Sequence, residues 1–277
     1  MSRISSKELV GQIMTSLLHL YTENEAKAIA YRCLDLGWDC SATDILMQKP
    51  VEISVEWNAK LGRLQTGEPL QYVMGFEFFR DRKFMVSSDT LIPRPETEEL
   101  VMKILPLIEK QHRVLDVGTG SGCIAVSLGI ETDAAIFAWD ISEGALEVAK
   151  KNASLLGAQV DFQRQDIFEW EQTADTWDFI VSNPPYVLDQ EKNEMSSNVL
   201  DFEPHVALFV PDHNPLKFYQ TLGDFAWSRL NPGGWLAVEI NRAYGLETEK
   251  LFRQIGFSTT ELHQDFHGND RFVLAQK

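Results

Sequence analysis

The sequence of 277 residues has few cysteines, no tight histidine cluster and no long apolar run. Its three cysteines are an odd number without metal-ligand spacing, which argues against a disulfide framework. Its six histidines are dispersed, so no metal site is predicted. No apolar run approaches the roughly 20 residues that span a bilayer, and the N-terminus lacks the apolar core of a secretory signal. These absences favour a cytoplasmic protein without a membrane segment or a metal.

The sequence also lacks an excess of basic residues. Asp and Glu number 41 against 25 Lys and Arg, which gives a formal net charge of −16. A protein that grips a nucleic-acid backbone needs clustered Lys and Arg to displace counterions. The charge balance therefore argues against direct binding of DNA or RNA and favours a basic protein partner.

The first 70 residues have the periodicity of short amphipathic helices. Ser5 and Glu8 can form a capping box at the first helix, and the last predicted helix covers 52–64. From Tyr72 to Val86 two apolar runs flank a polar turn, which predicts a β-hairpin. We predict an all-helical domain at 1–70, a β-hairpin and Pro-rich linker at 71–95, and a larger domain at 96–277.

After His112, apolar strands alternate with amphipathic helices. Strands are predicted at 113–117, 135–139, 159–164, 177–182, 234–240, 257–262 and 271–276. This alternation implies an α/β fold with a doubly wound, mainly parallel sheet covered by helices on both faces. Because no helix separates the last two strands, we expect an antiparallel pair at one edge of the seven-stranded sheet.

A glycine-rich turn from Asp116 to Gly122 lies between the first of these strands and a helix. Glycine permits positive φ and the close approach of a ligand, and the N-terminus of the helix suits a carboxylate. Asp140, after the next strand, can accept hydrogen bonds from both ribose hydroxyls of a nucleoside. Asp166 and Ile167 follow the third strand, where an adenine would lie. The candidate cofactor-binding residues in this part of the chain are Gly118, Thr119, Gly120, Ser121, Gly122, Asp140, Asp166 and Ile167.

Asn183-Pro184-Pro185-Tyr186 follows the fourth strand, at the edge of the sheet where ligands bind in open α/β folds. The prolines restrict the backbone and remove two N–H donors, which leaves the Asn183 side-chain oxygen and backbone carbonyls as acceptors. Such a rim orients a planar NH₂ group for attack on a methyl donor, and Tyr186 can pack its ring on that group. The candidate catalytic residues are Asn183, Pro184 and Tyr186, and the candidate substrate-binding residues are Asn183, Pro184, Pro185 and Tyr186.

Several motifs occur in a fixed order along the chain. They are Gly-Glu-Pro-Leu-Gln-Tyr at 67–72, Leu-Ile-Pro-Arg-Pro-Glu-Thr-Glu at 91–98, Asp-Val-Gly-Thr-Gly-Ser-Gly at 116–122, Asn-Pro-Pro-Tyr at 183–186 and Phe-Glu-Pro at 202–204. This combination resembles the HemK family, the peptide chain release factor glutamine methyltransferases. The resemblance spans about 67–277, whereas the first 66 residues agree only in length and helical character.

The resemblance implies a class I methyltransferase sheet that binds S-adenosylmethionine, releases S-adenosylhomocysteine and needs no metal. It also implies that Asn183 contacts the cofactor, as do the glycine-rich turn and Asp140. It implies methylation of the glutamine side chain in the Gly-Gly-Gln motif of class I release factors, with the helical domain contacting the release factor. Arg94 and Thr97 are expected to approach the methionine end of the cofactor or to position the loop that carries the glutamine. We expect a monomer.

Three other functions fit part of the pattern. An enzyme that methylates the exocyclic amine of adenine needs the same acceptor rim, because that nitrogen is also planar and carries two hydrogens. A non-catalytic scaffold would keep the cofactor fold but would not need an intact Asn183–Tyr186 segment. An NAD-dependent oxidoreductase is disfavoured because the glycine spacing is not that of dinucleotide binders.

Overall fold

The computed structural model describes residues 2–277, and their contacts divide the chain into two units. The first unit extends to Phe76 and includes the later segment Ser196–Phe202; the second comprises Glu77–Met195 and Glu203–Lys277. The domain boundaries predicted at 70 and 95 remain a prediction. Within the described chain, no helix combines the length and apolar character needed to cross a membrane.

The first unit consists mainly of helices but also contains a two-stranded sheet that the sequence analysis did not predict. In chain order its N-terminal elements are β1 (Ser2–Ser5), α1 (Ser6–Leu17), α2 (Glu23–Trp38), α3 (Ala42–Leu46), β2 (Pro50–Ile53), α4 (Val55–Leu64) and α5 (Leu70–Met74). β1 and β2 pair antiparallel. The predicted helix at 52–64 therefore begins later, after Ser54, whose hydroxyl caps it by accepting a hydrogen bond from the Trp57 N–H.

The remaining chain supplies the large sheet, its covering helices and a hairpin. In chain order the elements are β3 (Phe76–Phe79), β4 (Arg82–Met85), α6 (Pro95–Ile104), β5 (Arg113–Val117), α7 (Cys123–Glu131), β6 (Ala135–Asp140), α8 (Glu143–Leu156), β7 (Val160–Arg164), β8 (Trp177–Ser182), β9 (Val187–Leu188), α9 (Ser197–Phe202), β10 (Phe209–Val210), α10 (Lys217–Arg229), β11 (Leu230–Glu239), α11 (Gly245–Ile255), β12 (Thr259–Gln264) and β13 (Asp270–Gln276). Of these, α9 belongs to the first unit.

The predicted hairpin is present as β3 and β4 but starts later than the sequence suggested. Tyr72 to Met74 are helical, not extended, and end α5 at Gly75, which adopts the left-handed φ of 82°. A glycine in this conformation ends a helix without a steric penalty. α6 ends at Ile104, because the following 3₁₀ turn contains Pro106, which has no N–H to continue the helix.

The seven-stranded sheet confirms the predicted α/β fold. Its strand order is β12-β13-β11-β8-β5-β6-β7, and β13 runs antiparallel to both of its neighbours while the other pairs are parallel. From β5 the chain proceeds outwards through β6 and β7, then returns to place β8 on the other side of β5. That reversal is the topological switch point at which open α/β sheets bind ligands.

The register at the switch point brings the two main motifs together. Val117, the last residue of β5, pairs with Ser182, the last residue of β8. The glycine-rich turn and the Asn183–Tyr186 segment therefore leave neighbouring strands at the same level. Apolar clusters on the two faces of the sheet bury side chains such as Phe179 and Trp177, each almost completely shielded. Burial of a large apolar side chain stabilises the fold by roughly 1.5–3 kcal/mol.

Candidate active site

A cavity of about 500 Å³ lies in the second unit at the carboxyl ends of the central strands. Its volume is in the range of small-molecule pockets, roughly 300–1,000 Å³. The predicted site residues in its wall are Gly118, Thr119, Gly120, Ser121, Asp140, Asp166, Ile167, Asn183, Pro184 and Pro185. Gly122 and Tyr186 lie outside this wall. Most of the predicted cofactor-binding and substrate-binding residues therefore converge on one cavity.

The three glycines of the turn have different roles. All have positive φ, 74° at Gly118, 55° at Gly120 and 80° at Gly122. Apart from the adjoining residues of the turn, no atom of the described residues lies within 4 Å of a Cβ built at Gly118 or Gly120, so these two keep the cavity wall open. A Cβ at Gly122 would lie 3.0 Å from the Ala149 Cβ. Gly122 therefore permits the close packing of α7 on α8.

Asp140 links the turn to the end of β6. Its Oδ2 accepts a hydrogen bond from the Gly120 N–H at 2.8 Å, and its Oδ1 accepts one from the Ser142 N–H at 2.9 Å. Each carboxylate oxygen retains a second lone pair for a ligand. Burial raises the pKa of Asp140. The carboxylate in the cavity wall fits the two adjacent hydroxyls of a ribose.

Asp116 lies beneath the turn and is completely buried. Its Oδ2 accepts hydrogen bonds from the Thr119 hydroxyl at 2.6 Å and from the Ala125 N–H at 3.2 Å. Its Oδ1 has no hydrogen-bond partner in the part of the chain described. Burial raises the pKa of Asp116 to about 7, against the opposing effect of these hydrogen bonds.

The raised pKa of Asp116 predicts a pH-dependent stability. Between the unfolded value of 3.8 and the folded value of about 7, the folded state holds a proton that the unfolded state has released. The free energy of unfolding therefore falls as the pH rises through this range, by up to about 1.4 kcal/mol per pH unit. We expect Asp116→Asn to remove this contribution to the slope. Urea unfolding at several pH values measures it, and equal slopes for variant and wild type would contradict the assignment.

The cavity wall near Asp166 contains an aromatic side chain that the sequence analysis did not single out. Asp166 Oδ1 accepts a hydrogen bond from the Phe168 N–H at 2.9 Å, which fixes the turn after β7. Ile167 is buried and lines the cavity, and the partly exposed Phe168 ring lines it next to Ile167. Phe218 lies 5.1 Å from this ring, centroid to centroid, and Lys217 Nζ lies 4.2 Å from its centroid. These contacts hold an aromatic face where a flat base can stack.

Asn183 is connected by a short hydrogen-bond chain to a buried acid. Its Nδ2 donates to the Thr97 hydroxyl oxygen at 3.0 Å, and that hydroxyl donates to Glu239 Oε2 at 2.7 Å. The other oxygen of Glu239 accepts a hydrogen bond from the Tyr186 hydroxyl at 3.0 Å. Among residues 2–277, no hydrogen-bond donor reaches Asn183 Oδ1. This oxygen therefore remains as an acceptor for a ligand.

Tyr186 is fixed at both its backbone and its hydroxyl. Its carbonyl oxygen accepts a hydrogen bond from Asn241 Nδ2 at 3.1 Å, and its ring packs on the apolar cluster that contains Trp177. Burial, with the nearby charge of Glu239, raises the pKa of Tyr186 well above its ordinary value. Tyr186 is therefore a neutral hydrogen-bond donor to Glu239, and it holds the loop in place from outside the cavity wall.

Arg94 is paired with the acid of the Phe-Glu-Pro motif. Its guanidinium forms an ion pair with Glu203, whose side chain is almost fully buried. The other oxygen of Glu203 accepts a hydrogen bond from the Ile92 N–H at 3.2 Å. Ile92 and Arg94 both line the cavity. Glu203 therefore fixes the Pro-rich stretch that forms one side of the site.

Two further polar residues that support the site were missed in the sequence. Asn152 in α8 donates from Nδ2 to the Ser121 carbonyl at 2.8 Å and to the Met85 carbonyl at 2.9 Å, and so holds the glycine-rich turn from behind. The second residue that the sequence did not reveal is Glu239. The only sequence signals for these two residues are an amide on the apolar face of a helix, for Asn152, and a single acid at the end of an apolar strand, for Glu239.

Across the described chain, no group of three or more His, Cys, Asp or Glu side chains is placed to hold a metal ion.

Known proteins resemble this chain in both sequence and fold. Residues 96–201 match the model of the methyltransferase small domain family. The release factor glutamine methyltransferase of Bacteroides thetaiotaomicron is 44% identical, over 97% of this chain and 99% of that protein. That of Flavobacterium psychrophilum is 38% identical, over 95% of each.

Solved structures share the fold at low sequence identity. A methyltransferase from Pyrococcus furiosus superposes with a TM-score of 0.53 at 18% identity, covering 70% of this chain and 87% of that protein. This likeness concerns the fold alone, whereas the relatives from Bacteroides and Flavobacterium match this chain over nearly its full length. The chain is a methyltransferase and belongs to the release factor glutamine methyltransferase family.

Proposed function

We propose that this protein methylates the side-chain amide nitrogen of the glutamine in the Gly-Gly-Gln motif of class I peptide chain release factors, with S-adenosylmethionine as the methyl donor. The names of its relatives support the substrate. The observation that carries the proposal is the fixed orientation of Asn183, whose amide nitrogen is bound to Thr97 while its oxygen remains available at the cavity.

The cavity wall contains residues that suit the carboxylate, the ribose and the adenine of S-adenosylmethionine. Gly118 and Gly120 leave open space at the turn, and the N-terminus of α7 behind them favours a carboxylate. Asp140 is available for the ribose hydroxyls, and Ile167 and Phe168 form an apolar wall for the adenine. When bound, this cofactor supplies an electrophilic methyl group on a sulfonium. The product is S-adenosylhomocysteine.

The Asn183–Tyr186 segment fits the acceptor nitrogen. Asn183 Oδ1 and a backbone carbonyl of the same segment would accept the two hydrogens of the glutamine NH₂ group, since the prolines leave no competing N–H. Holding both hydrogens aims the nitrogen at the methyl group and disfavours attack by the amide oxygen. The same acceptors stabilise the positive charge that develops on nitrogen. No strong base is needed at the start, because the nitrogen becomes acidic once it is methylated.

The remaining parts of the proposal concern the partner. We propose that the helical part of residues 1–70 contacts the release factor and that the protein acts as a monomer without binding nucleic acid directly. The net charge of −16 supports a protein partner over DNA or RNA.

Transfer of a labelled methyl group tests the proposal. The protein is incubated with methyl-labelled S-adenosylmethionine and either a class I release factor or duplex DNA, and the label is located by mass spectrometry of peptides and nucleosides. We expect label on the glutamine of the Gly-Gly-Gln peptide and none on a release factor with that glutamine replaced by glutamate. Label on adenine with none on the peptide would refute the proposal in favour of an adenine methyltransferase. Transfer to neither acceptor would favour a non-catalytic scaffold.

A further inference from the structure

We propose that Glu239 is a positioning residue that determines, through Thr97, which end of the Asn183 amide faces the cavity. This inference rests on the proposed function, because it concerns the group that would accept the substrate amide. The inference adds a residue outside the Asn183–Tyr186 segment to the site. That residue is an acid on a different strand, and it sets the direction of the hydrogen bonds.

The direction of the hydrogen bonds follows from counting donors. The Thr97 hydroxyl has one hydrogen, and it is given to Glu239 Oε2 at 2.7 Å. Its oxygen therefore presents only lone pairs to its other neighbour, Asn183. Of the two ends of the Asn183 amide, only the nitrogen can donate to these lone pairs, as it does at 3.0 Å. The amide oxygen is consequently turned away from Thr97 and left for the substrate.

The position of Glu239 follows from the sheet. β11 lies parallel to β8, with Val238 paired to Ser182. Glu239, the last residue of β11, is therefore level with Asn183, the first residue after β8. The Glu239 side chain is 1% exposed, and its second oxygen is used by the Tyr186 hydroxyl. One buried carboxylate thus binds the Asn183–Tyr186 segment at its last residue directly and at its first residue through Thr97. Burial raises the pKa of Glu239, and the hydrogen bonds from Thr97 and Tyr186 oppose that rise because they favour the carboxylate form. A carboxylate has no hydrogen to donate, so its acceptance from both sides sets one direction for the whole chain of hydrogen bonds.

Glu239→Gln tests this directionality with little change of shape. The Tyr186 hydroxyl donates to Glu239 alone among the described residues, so it keeps an acceptor only if the oxygen of the introduced amide faces it. In that orientation the NH₂ group of the introduced amide faces Thr97 and donates to it. The Thr97 hydroxyl then turns round and donates to Asn183, so the Asn183 amide rotates and presents its NH₂ end to the cavity. That end cannot accept a hydrogen from the NH₂ group of a substrate amide. We expect kcat to fall by about 10–100-fold, with the Kd for S-adenosylmethionine changed far less.

Substitutions at Thr97 separate positioning from packing. Thr97→Val keeps the shape but removes the hydroxyl, so it should lose turnover to a similar extent. Thr97→Ser keeps the hydroxyl and should recover most of the loss caused by Thr97→Val. Equal activities of the Ser and Val variants would overturn the proposal, because they would show that the hydroxyl group is not needed. A purely steric role predicts no advantage of serine over valine, since valine keeps the shape of threonine.

The sharpest test reverses the chain of hydrogen bonds. In the double variant Glu239→Gln with Asn183→Asp, the new amide at position 239 donates to Thr97, and Thr97 donates to the new carboxylate at position 183. Every hydrogen bond is then satisfied, and an acceptor again faces the cavity, with the negative charge moved but not lost. We expect the double variant to turn over about 10-fold faster than either single variant. Losses that simply multiply would overturn the proposal.

Unfolding of the free protein gives the same test without a substrate. The two substitutions should lower the urea midpoint less together than the sum of their separate effects, and additive effects would overturn the proposal. Failure of the wild type to methylate glutamine would refute the proposed function, while these unfolding measurements would still decide the role of Glu239.

Glu99→Gln combined with Asn183→Asp is the matched control. Glu99 is also a buried acid, but it accepts a hydrogen bond from the Phe266 N–H and not from Thr97. The effects of these two substitutions on the urea midpoint should be additive.

Discussion

Replacing Asn183 with alanine is expected to lower turnover by about 10²–10³-fold, which corresponds to about 2.7–4 kcal/mol in the transition state. The variant loses the side-chain oxygen that the cavity offers to the substrate nitrogen. It also leaves the Thr97 hydroxyl without the amide that now donates to it. The amide nitrogen of glutamine is a weak nucleophile, so its reaction depends strongly on this orientation. Single-turnover rates with methyl-labelled S-adenosylmethionine measure the loss.

Cofactor binding should change much less in this variant. We expect the Kd for S-adenosylmethionine, measured by calorimetry, to rise by less than about 10-fold, since Asp140 and the glycine-rich turn are unaffected. Asn193→Ala is the matched control because Asn193 is exposed in a short 3₁₀ turn, and it should keep wild-type turnover. Normal turnover of Asn183→Ala would refute the role assigned to Asn183.

Asp140→Ala is expected to have the opposite pattern, with weakened cofactor binding as its main effect. The carboxylate is available for two charge-assisted hydrogen bonds to ribose hydroxyls, each worth roughly 1.5–3 kcal/mol. It also holds the Gly120 N–H and the Ser142 N–H, so its loss loosens the turn. We expect the Kd for S-adenosylmethionine to rise by about 10²-fold or more, while kcat at saturating cofactor falls far less.

Two further variants separate the contributions of Asp140. Asp140→Asn keeps one acceptor oxygen and should bind the cofactor with an affinity between those of alanine and wild type. Asp161→Ala removes an exposed acid from the neighbouring strand β7 and should leave the Kd unchanged. A Kd for Asp140→Ala within about twofold of wild type would show that the carboxylate does not bind the ribose.

The sheet could be predicted from the sequence because its strands are strongly patterned. The strands at 113–117 and 177–182 match the prediction residue for residue, since buried parallel strands are nearly continuous apolar runs. β1 and β2 were missed because they are short and far apart in the sequence, with Ser5 opposite Pro50. Tyr72 to Met74 were predicted as strand because aromatic and β-branched residues favour that state, but local context made them helical.

In the site, too, the sequence reveals the residues of local motifs but not the contacts between residues far apart in the chain. The predicted cofactor residues other than Gly122 meet Asn183 to Pro185 at the cavity. Motifs at the carboxyl ends of neighbouring strands must converge, and this follows from topology alone. The bond from Thr97 to Glu239 joins residues 142 positions apart, so no local pattern could reveal it. The sequence allows two roles for Thr97, and its hydrogen bond to Asn183 favours the positioning of the glutamine over contact with the cofactor. Glu239 itself was recognisable only as an acid where an apolar residue was expected.

The segment Ser196–Phe202, which groups with the N-terminal helices, has a consequence for dissecting this protein. It is covalently part of the stretch between the Asn183–Tyr186 loop and Glu203, yet its packing partners belong to the first unit, where a Cβ at Gly67 would lie 3.9 Å from the Phe202 ring. Deletion of the chain up to Phe76 would leave the half-buried side chains of Val199, Leu200 and Phe202 without their apolar surroundings. These side chains lie immediately before Glu203, the acid that forms the ion pair with Arg94. The second unit therefore cannot be obtained intact by deleting residues from the N-terminus of the chain. A loss of activity after such a deletion would have this structural cause, and so would not identify a docking surface.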